Sequence, residues 1–236
     1  MGQVTYPGGY RPVIGVGAID ANGDVANFSN YGEGIEIGAP GVGVSVAWDG
    51  NSEVLMSGTS ASAPYVAGAV AGILSDNPGM SSAEATALIE RYANDAAAAG
   101  EDVYVGNGIL DVERITRRND PTFSDAAVTG FWLDLSKASE EGTGSLSVTL
   151  QNRGNSTFSQ ATLEVILGGE SYQFAYSSWE KGTARAETFT LPISDLVNEE
   201  GVPVSARLQV TGSVDEKSAN NTRAGLLRVE ARSSED

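Results

Sequence analysis

The chain has 236 residues, 41% hydrophobic and 19% charged, which is material for one large or two ordinary domains and too apolar for a disordered chain. Its net charge of −17 runs through both halves, with 14 acidic and 5 basic side chains in residues 1–119, a field that repels phosphate backbones and argues against nucleic acid as a partner. Cysteine is absent, so disulfides and thiolate metal sites are excluded, and no apolar run is long enough to span a bilayer.

The opening residues, Met1-Gly2-Gln3-Val4-Thr5-Tyr6-Pro7, lack the basic segment and apolar core of a signal peptide. The expectation taken here is that Met1 is not the natural start. Short apolar runs bounded by turn residues then predict strands at 12–18, 34–40, 43–47 and 53–56. A helix follows over 61–77, with Val66, Val70, Ile73 and Leu74 at helical spacing. Ala67, Gly68, Ala71 and Gly72 make it small or apolar on nearly every side, which predicts burial. Pro64 is tolerated because it falls in the first turn.

Ser81-Ser82-Ala83-Glu84 has capping-box spacing and starts a second helix that runs to about Tyr92. Residues 103–110 read as a strand and turn, and a short helix through Arg114–Arg117 ends this half. Arg114, Arg117 and Arg118 are expected to compensate the dipole at that helix end. After Asn119 the hydrophobic period changes to two. Phe131/Leu133/Leu135, Leu146/Val148/Leu150, Leu163/Val165/Leu167, Tyr172/Phe174/Tyr176, Phe189/Leu191, Val204/Ala206/Leu208/Val210 and Leu227/Val229 predict about seven short antiparallel strands. The boundary therefore falls near 119, giving domains 1–119 and 120–236.

The chemistry concentrates at Gly58-Thr59-Ser60-Ala61. A serine placed after a strand and at the opening of a helix sits among unpaired N–H groups, where the macrodipole favours developing negative charge. Gly58, Ala61, Ser62 and Ala63 leave room for a substrate backbone to approach. The same residues also suit a plain helix cap, because serine and threonine are preferred there.

The longer run Met56-Ser57-Gly58-Thr59-Ser60-Ala61-Ser62-Ala63-Pro64-Tyr65-Val66-Ala67-Gly68 resembles the serine-containing motif of the subtilisin-like serine proteases (subtilases, peptidase S8). Val4-Thr5-Tyr6-Pro7, Val13–Ala18, Phe28–Gly32, Ala39-Pro40-Gly41, Gly106-Asn107-Gly108 and Leu110-Asp111 look like pieces of the same family in the same order. The resemblance covers about residues 4–116 and implies the C-terminal part of a catalytic domain, an α/β fold with a partial subtilisin-like parallel sheet.

By this resemblance Ser60 is the catalytic nucleophile, its N–H is half of the oxyanion hole, and Gly58, Thr59 and Ala61 are its substrate and oxyanion neighbourhood. Tyr65 stands where many members have a non-catalytic histidine, and Ala61 where many have methionine. The family's Asp, His and oxyanion Asn lie earlier in the family's chain, and none of their motifs occurs here. The sequence contains no histidine at all.

The resemblance thus implies a fragment of a secreted serine endopeptidase acting on polypeptides, inactive alone and a partner for an upstream catalytic fragment. The first half is expected to fold poorly, to associate, or to need the missing portion in trans, because a strand edge and the apolar face of the 61–77 helix lie open. The resemblance allows a structural Ca²⁺ and assigns it no ligands; no other cofactor is identified.

In the second half, Leu146–Asn155 and Val214–Thr222 resemble adhesion-type (CARDB-like) β-sandwich modules, which implies an Ig-like all-β spacer or binder. Asp215, Glu216, Asn220 and Asn221 are oxygen donors of the kind Ca²⁺ takes, and equally the makings of a turn held by Asx hydrogen bonds, the reading preferred from sequence. The alternative for the whole chain is a non-catalytic binding or structural protein that reuses a protease scaffold and acts through the sandwich.

Overall fold

The structure is a computed structural model and describes residues 2–212 and 214–229. The last residues assigned from sequence to the second half, 230–236, lie outside the described residues. The chain divides into two compact units, Met1–Asp120 and Pro121–Asp236.

In the first unit β1 (Val16–Ile19) and β2 (Ile37–Pro40) pair in parallel, Val16 opposite Ile37 and Ile19 opposite Pro40. Both are near-continuous apolar runs, as strands covered on both faces require. Ile37 and Ala39 join a core with Val66, Ile73, Ala85, Ile89, Ala93 and Ile115. Gly38, between them, faces the other way, where a Cβ would come within 2.9 Å of Val105, a member of a second small cluster with Ile19 and Ala96.

β3 (Val44–Trp48) and β4 (Ser52–Met56) form an antiparallel hairpin turned by Asp49-Gly50-Asn51. Both Gly50 and Asn51 adopt positive φ, the conformation tight hairpin turns demand. All of β4 is exposed, with Leu55 at 77% and Trp48 at the end of β3 at 66%.

Helix α1 (Thr59–Asp76) starts two residues earlier than the spacing predicts and packs on β1, β2 and α2 (Ser82–Arg91). Composition alone predicts burial on nearly every side, whereas the resemblance predicts an open apolar face, and one side of the helix is open. Ala61, Ser62, Val66 and Ile73 are buried, whereas Ala63, Tyr65, Ala67, Gly68, Ala71 and Gly72 are exposed. Small apolar composition permits close packing on any side; it does not supply a neighbour.

α2 carries the full capping box. Glu84 N–H donates to Ser81 Oγ at 3.3 Å, and Ser81 N–H donates to Glu84 Oε2 at 2.8 Å. The predicted strand within 103–110 is a correction. Only isolated bridges form there, from Gly106 to Ile37 and Asp102 and from Ile109 to Gly38 and Asn94, because Gly106 and Gly108 turn the chain at positive φ.

α3 (Val112–Thr116) follows. Arg118 donates to the Ile115 carbonyl as a helix-end cation should, and Arg117 pairs with Asp120 at 2.7 Å. Arg114 departs from expectation. It is 3% exposed and donates to the Ala93 carbonyl and Asn94 Oδ1, tying α3 to the segment after α2.

In the second unit two antiparallel sheets share one core. One has the order β11-β10-β7-β8 and the other β5-β6-β9, from β5 (Ala126–Asp134), β6 (Thr143–Asn152), β7 (Phe158–Leu167), β8 (Glu170–Trp179), β9 (Ala184–Pro192), β10 (Val202–Thr211) and β11 (Thr222–Leu227). The alternation read from sequence delivers Leu146, Val148 and Leu150 from one sheet, and Leu163, Val165, Val204 and Leu208 from the other, to that core.

Phe158 and Trp179 fill its centre with ring centroids 6.1 Å apart, and Trp179 Nε1 donates to the Thr183 carbonyl. Asn152 is fully buried and fully used. Its amide donates to the Ser156 and Trp179 carbonyls and accepts from Gly154 N–H. Among the described residues, no helix is long and apolar enough to cross a membrane.

Candidate active site

The site grows from the end of β2. Gly41 N–H donates to the Ile19 carbonyl, and the Gly41 carbonyl accepts from Gly58 N–H at 2.8 Å. This pair hangs the start of α1 on the strand pair. The approach is close: a Cβ on Gly41 would lie 2.6 Å from the Ala18 Cβ and 3.1 Å from the Gly58 carbonyl oxygen. Gly43 N–H donates to Ser57 Oγ at 3.0 Å, holding the base of the β3–β4 hairpin beside the same corner.

Gly58 is the N-cap, with φ 153° and ψ 156°, a conformation for which glycine is suited. It supplies no side chain, so the first-turn N–H groups are not consumed by a side-chain cap. Thr59 is the first helical residue and half-buried, Ser60 is next and exposed, and Ala61 is 4% exposed against the interior. Among the described residues the Ser60 hydroxyl has no hydrogen-bond partner. The four residues singled out from sequence thus form one continuous corner, with Ser60 exposed and Ala61 packed inward.

Electrostatically the corner is simple. The first turn of α1 has no acidic residue, so its positive dipole end is not neutralised locally. That environment favours negative charge on an oxygen near the Ser60 N–H. It does not supply a proton acceptor, since imidazole is absent from the whole sequence. The arrangement can present a nucleophile and one oxyanion donor; deprotonating the hydroxyl requires a base from elsewhere.

No group of three or more Asp or Glu side chains converges on a metal-holding arrangement among the described residues. Sequence reasoning passed over Gly41 and Ser57 as positioning residues. Gly41 stood inside the quoted Ala39-Pro40-Gly41 run, yet nothing local marks a glycine whose necessity comes from Ala18 and Gly58.

Residues 1–108 match the sequence profile of the subtilase family, Peptidase_S8. Over 116 residues the chain is 36% identical to Subtilisin Savinase from Lederbergia lenta, a match covering 49% of this chain and 42% of that protein. Over 110 residues it is 39% identical to Subtilisin DY from Bacillus licheniformis, covering 47% of this chain and 39% of that protein. Among solved structures it is similar to MycP1 from Mycobacterium smegmatis, at 30% identity and a TM-score of 0.42, with 47% of this chain and 31% of that chain covered. The chain therefore spans at most 42% of the length of these relatives. The family match covers residues 1–108, Ser60 among them.

Proposed function

We propose that the chain carries the nucleophile of a secreted subtilisin-like serine endopeptidase and is catalytically silent alone. The observation that carries this reading is the exposed Ser60 in the first turn of α1, two residues after a glycine cap and inside the subtilase match. In the complete reaction Ser60 Oγ attacks the scissile carbonyl carbon of a polypeptide and its proton passes to a base. The Ser60 N–H then donates to the resulting oxyanion. The missing Asp, His and Asn would come from an upstream catalytic fragment, and the two-sheet unit would serve as a CARDB-like β-sandwich spacer or binder. Losing one triad member typically lowers rate by several orders of magnitude.

The test is labelling with a fluorophosphonate probe. The chain alone is expected to remain unlabelled and to turn over no peptide ester. Mixed with a subtilase fragment that supplies the Asp, His and Asn segments, it is expected to label at Ser60, and Ser60→Ala is expected to abolish the signal. Ser60-dependent ester turnover by the chain alone would overturn the silence. Absence of labelling in a mixture shown to associate would overturn the nucleophile assignment.

A second reading, a non-catalytic binding or structural protein acting through its two-sheet unit, is favoured by the complete absence of histidine. It predicts no labelling under either condition.

A further inference from the structure

Within the second unit, four buried side-chain oxygens without a hydrogen-bond partner among the described residues belong to two short segments: Ser124 Oγ, Asp125 Oδ2, Asn220 Oδ1 and Asn221 Oδ1. The segments are distant in sequence and tied together in space. Glu216 N–H donates to the Ser124 carbonyl at 2.9 Å, Ala126 N–H donates to Asp215 Oδ2 at 3.1 Å, and Asn220 Nδ2 donates to Asp125 Oδ1 at 2.9 Å. Asp125 has no exposed surface, Ser124 is 5% exposed and Asn221 8%. A buried acceptor without a donor costs free energy, and a carboxylate costs more than an amide. Two segments joined in space that both carry such acceptors offer a cation a shared place.

We propose that Asp125, Asp215, Asn220 and Asn221, with the Ser124 hydroxyl, form a Ca²⁺ site that fastens the start of β5 to the segment before β11. The donor set is all oxygen, mixing two carboxylates with neutral amide and hydroxyl groups, the hard set that Ca²⁺ takes and that soft or imidazole-preferring metals do not. Asp215 forms the Asx turn expected from sequence, accepting from Lys217 N–H at 2.9 Å, and keeps lone pairs for a cation. Glu216 is exposed and drops out of the set proposed from sequence.

The Asn220–Asp125 contact sets the spacing that two ligands would have after a turn of the amide, which an ion would have to favour over the present hydrogen bond. Turning the Asn220 amide over exchanges its nitrogen for oxygen and places two oxygens at the same 2.9 Å separation. Two ligands so spaced subtend about 75° at an ion about 2.4 Å from each, an angle suited to the crowded shell of Ca²⁺. An ion would offset the cost of burying Asp125, while the cationic Arg153 and Lys217 near it weaken ion binding. The affinity expected is that of extracellular modules, Kd of about 10⁻⁴–10⁻³ M.

The experiment is calcium titration of the full chain by isothermal calorimetry and thermal unfolding, in about 0.3 M NaCl to screen the diffuse surface charge. Wild type is expected to bind Ca²⁺ saturably in that range and to unfold at a higher temperature when loaded. Asp125→Asn is expected to bind at least about tenfold more weakly, Asn220→Asp more tightly by a similar factor, and the exposed-carboxylate control Glu170→Gln like wild type. Without an ion, Asn220→Asp sets a second carboxylate against Asp125 and lowers the unfolding temperature. No saturable binding to wild type at about 10 mM Ca²⁺ would overturn the site, as would Asp125→Asn binding like wild type, or Asn220→Asp binding no tighter.

Discussion

Among the described residues, the buried apolar side chains of the N-terminal unit form two clusters, the larger with eight members, and leave Ala18, Ala26, Ile35 and Ala61 outside both, whereas the C-terminal unit gathers nineteen into one. The exposed large aromatics, Tyr6, Tyr10, Phe28, Trp48 and Tyr65, all belong to the N-terminal unit. The second unit has two sheets, each covering the other's apolar face. In the first, a two-stranded parallel pair is backed by helices and a loop, while the β3–β4 hairpin and one side of α1 face outward with nothing apolar over them. The unit richer in apolar residues is thus the one with an open apolar surface, because closure depends on a facing layer and not on content.

That contrast can be broken most forcefully at single leucines. Leu163→Ala, at a fully buried position shared by both sheets, is expected to cost about 2–5 kcal/mol. Leu55→Ser, at a position 77% exposed, is expected to change stability by less than about 0.5 kcal/mol. Denaturant unfolding followed by tryptophan fluorescence measures both, and equal losses would erase the distinction.

Two glycines sharpen it within the first unit. Gly41→Ala pushes a methyl into Ala18 and the Gly58 carbonyl, for an expected loss of about 1–3 kcal/mol. Gly72→Ala places its methyl in open space on the exposed side of α1 and is expected to gain up to about 1 kcal/mol. Thermal unfolding distinguishes the signs; a loss at Gly72 would mean that this side of the helix is covered.

The smallest effect is a slope with pH. Burial, and then the neighbouring carboxylate, raises the carboxyl of Glu36 beside Glu90 and of Glu90 beside Glu101. A raised carboxyl binds its proton more tightly in the folded state. Its contribution is therefore complete below the usual carboxylate range, about pH 4, and is lost as pH climbs through the higher folded value. Glu90→Gln is expected to flatten the fall in unfolding temperature between about pH 4 and pH 6 relative to wild type. An unchanged slope would show that these carboxylates do not repel one another.

What the sequence revealed was local. The Ser81/Glu84 box and the period-two strands are written within a few residues of where they act, and they form as read. The failures involve distant partners. Arg114 looks like a helix-end cation until its partner, the Ala93 carbonyl 21 residues away, is known. Residues 103–110 look like a strand because apolar alternation does not register that Gly106 and Gly108 turn the backbone. Buried Asp125 takes its side-chain hydrogen bond from Asn220, 95 residues on, and no pattern around Asp125 announces it. At the serine corner the residue types were readable from the motif, whereas the reason for Gly41 lay in a close approach of three segments.

That corner is set by main-chain groups, the Gly58 amide on the Gly41 carbonyl, with glycine at both ends of the bond. Under mutational drift its side-chain surroundings can change freely so long as those two positions do not. Tolerance should be wide in the hairpin strands, narrower at Ser57 and at the positive-φ Gly43 and Gly50, and least at Gly41 and Gly58. A saturation scan scored on retention of fold would show that graded profile.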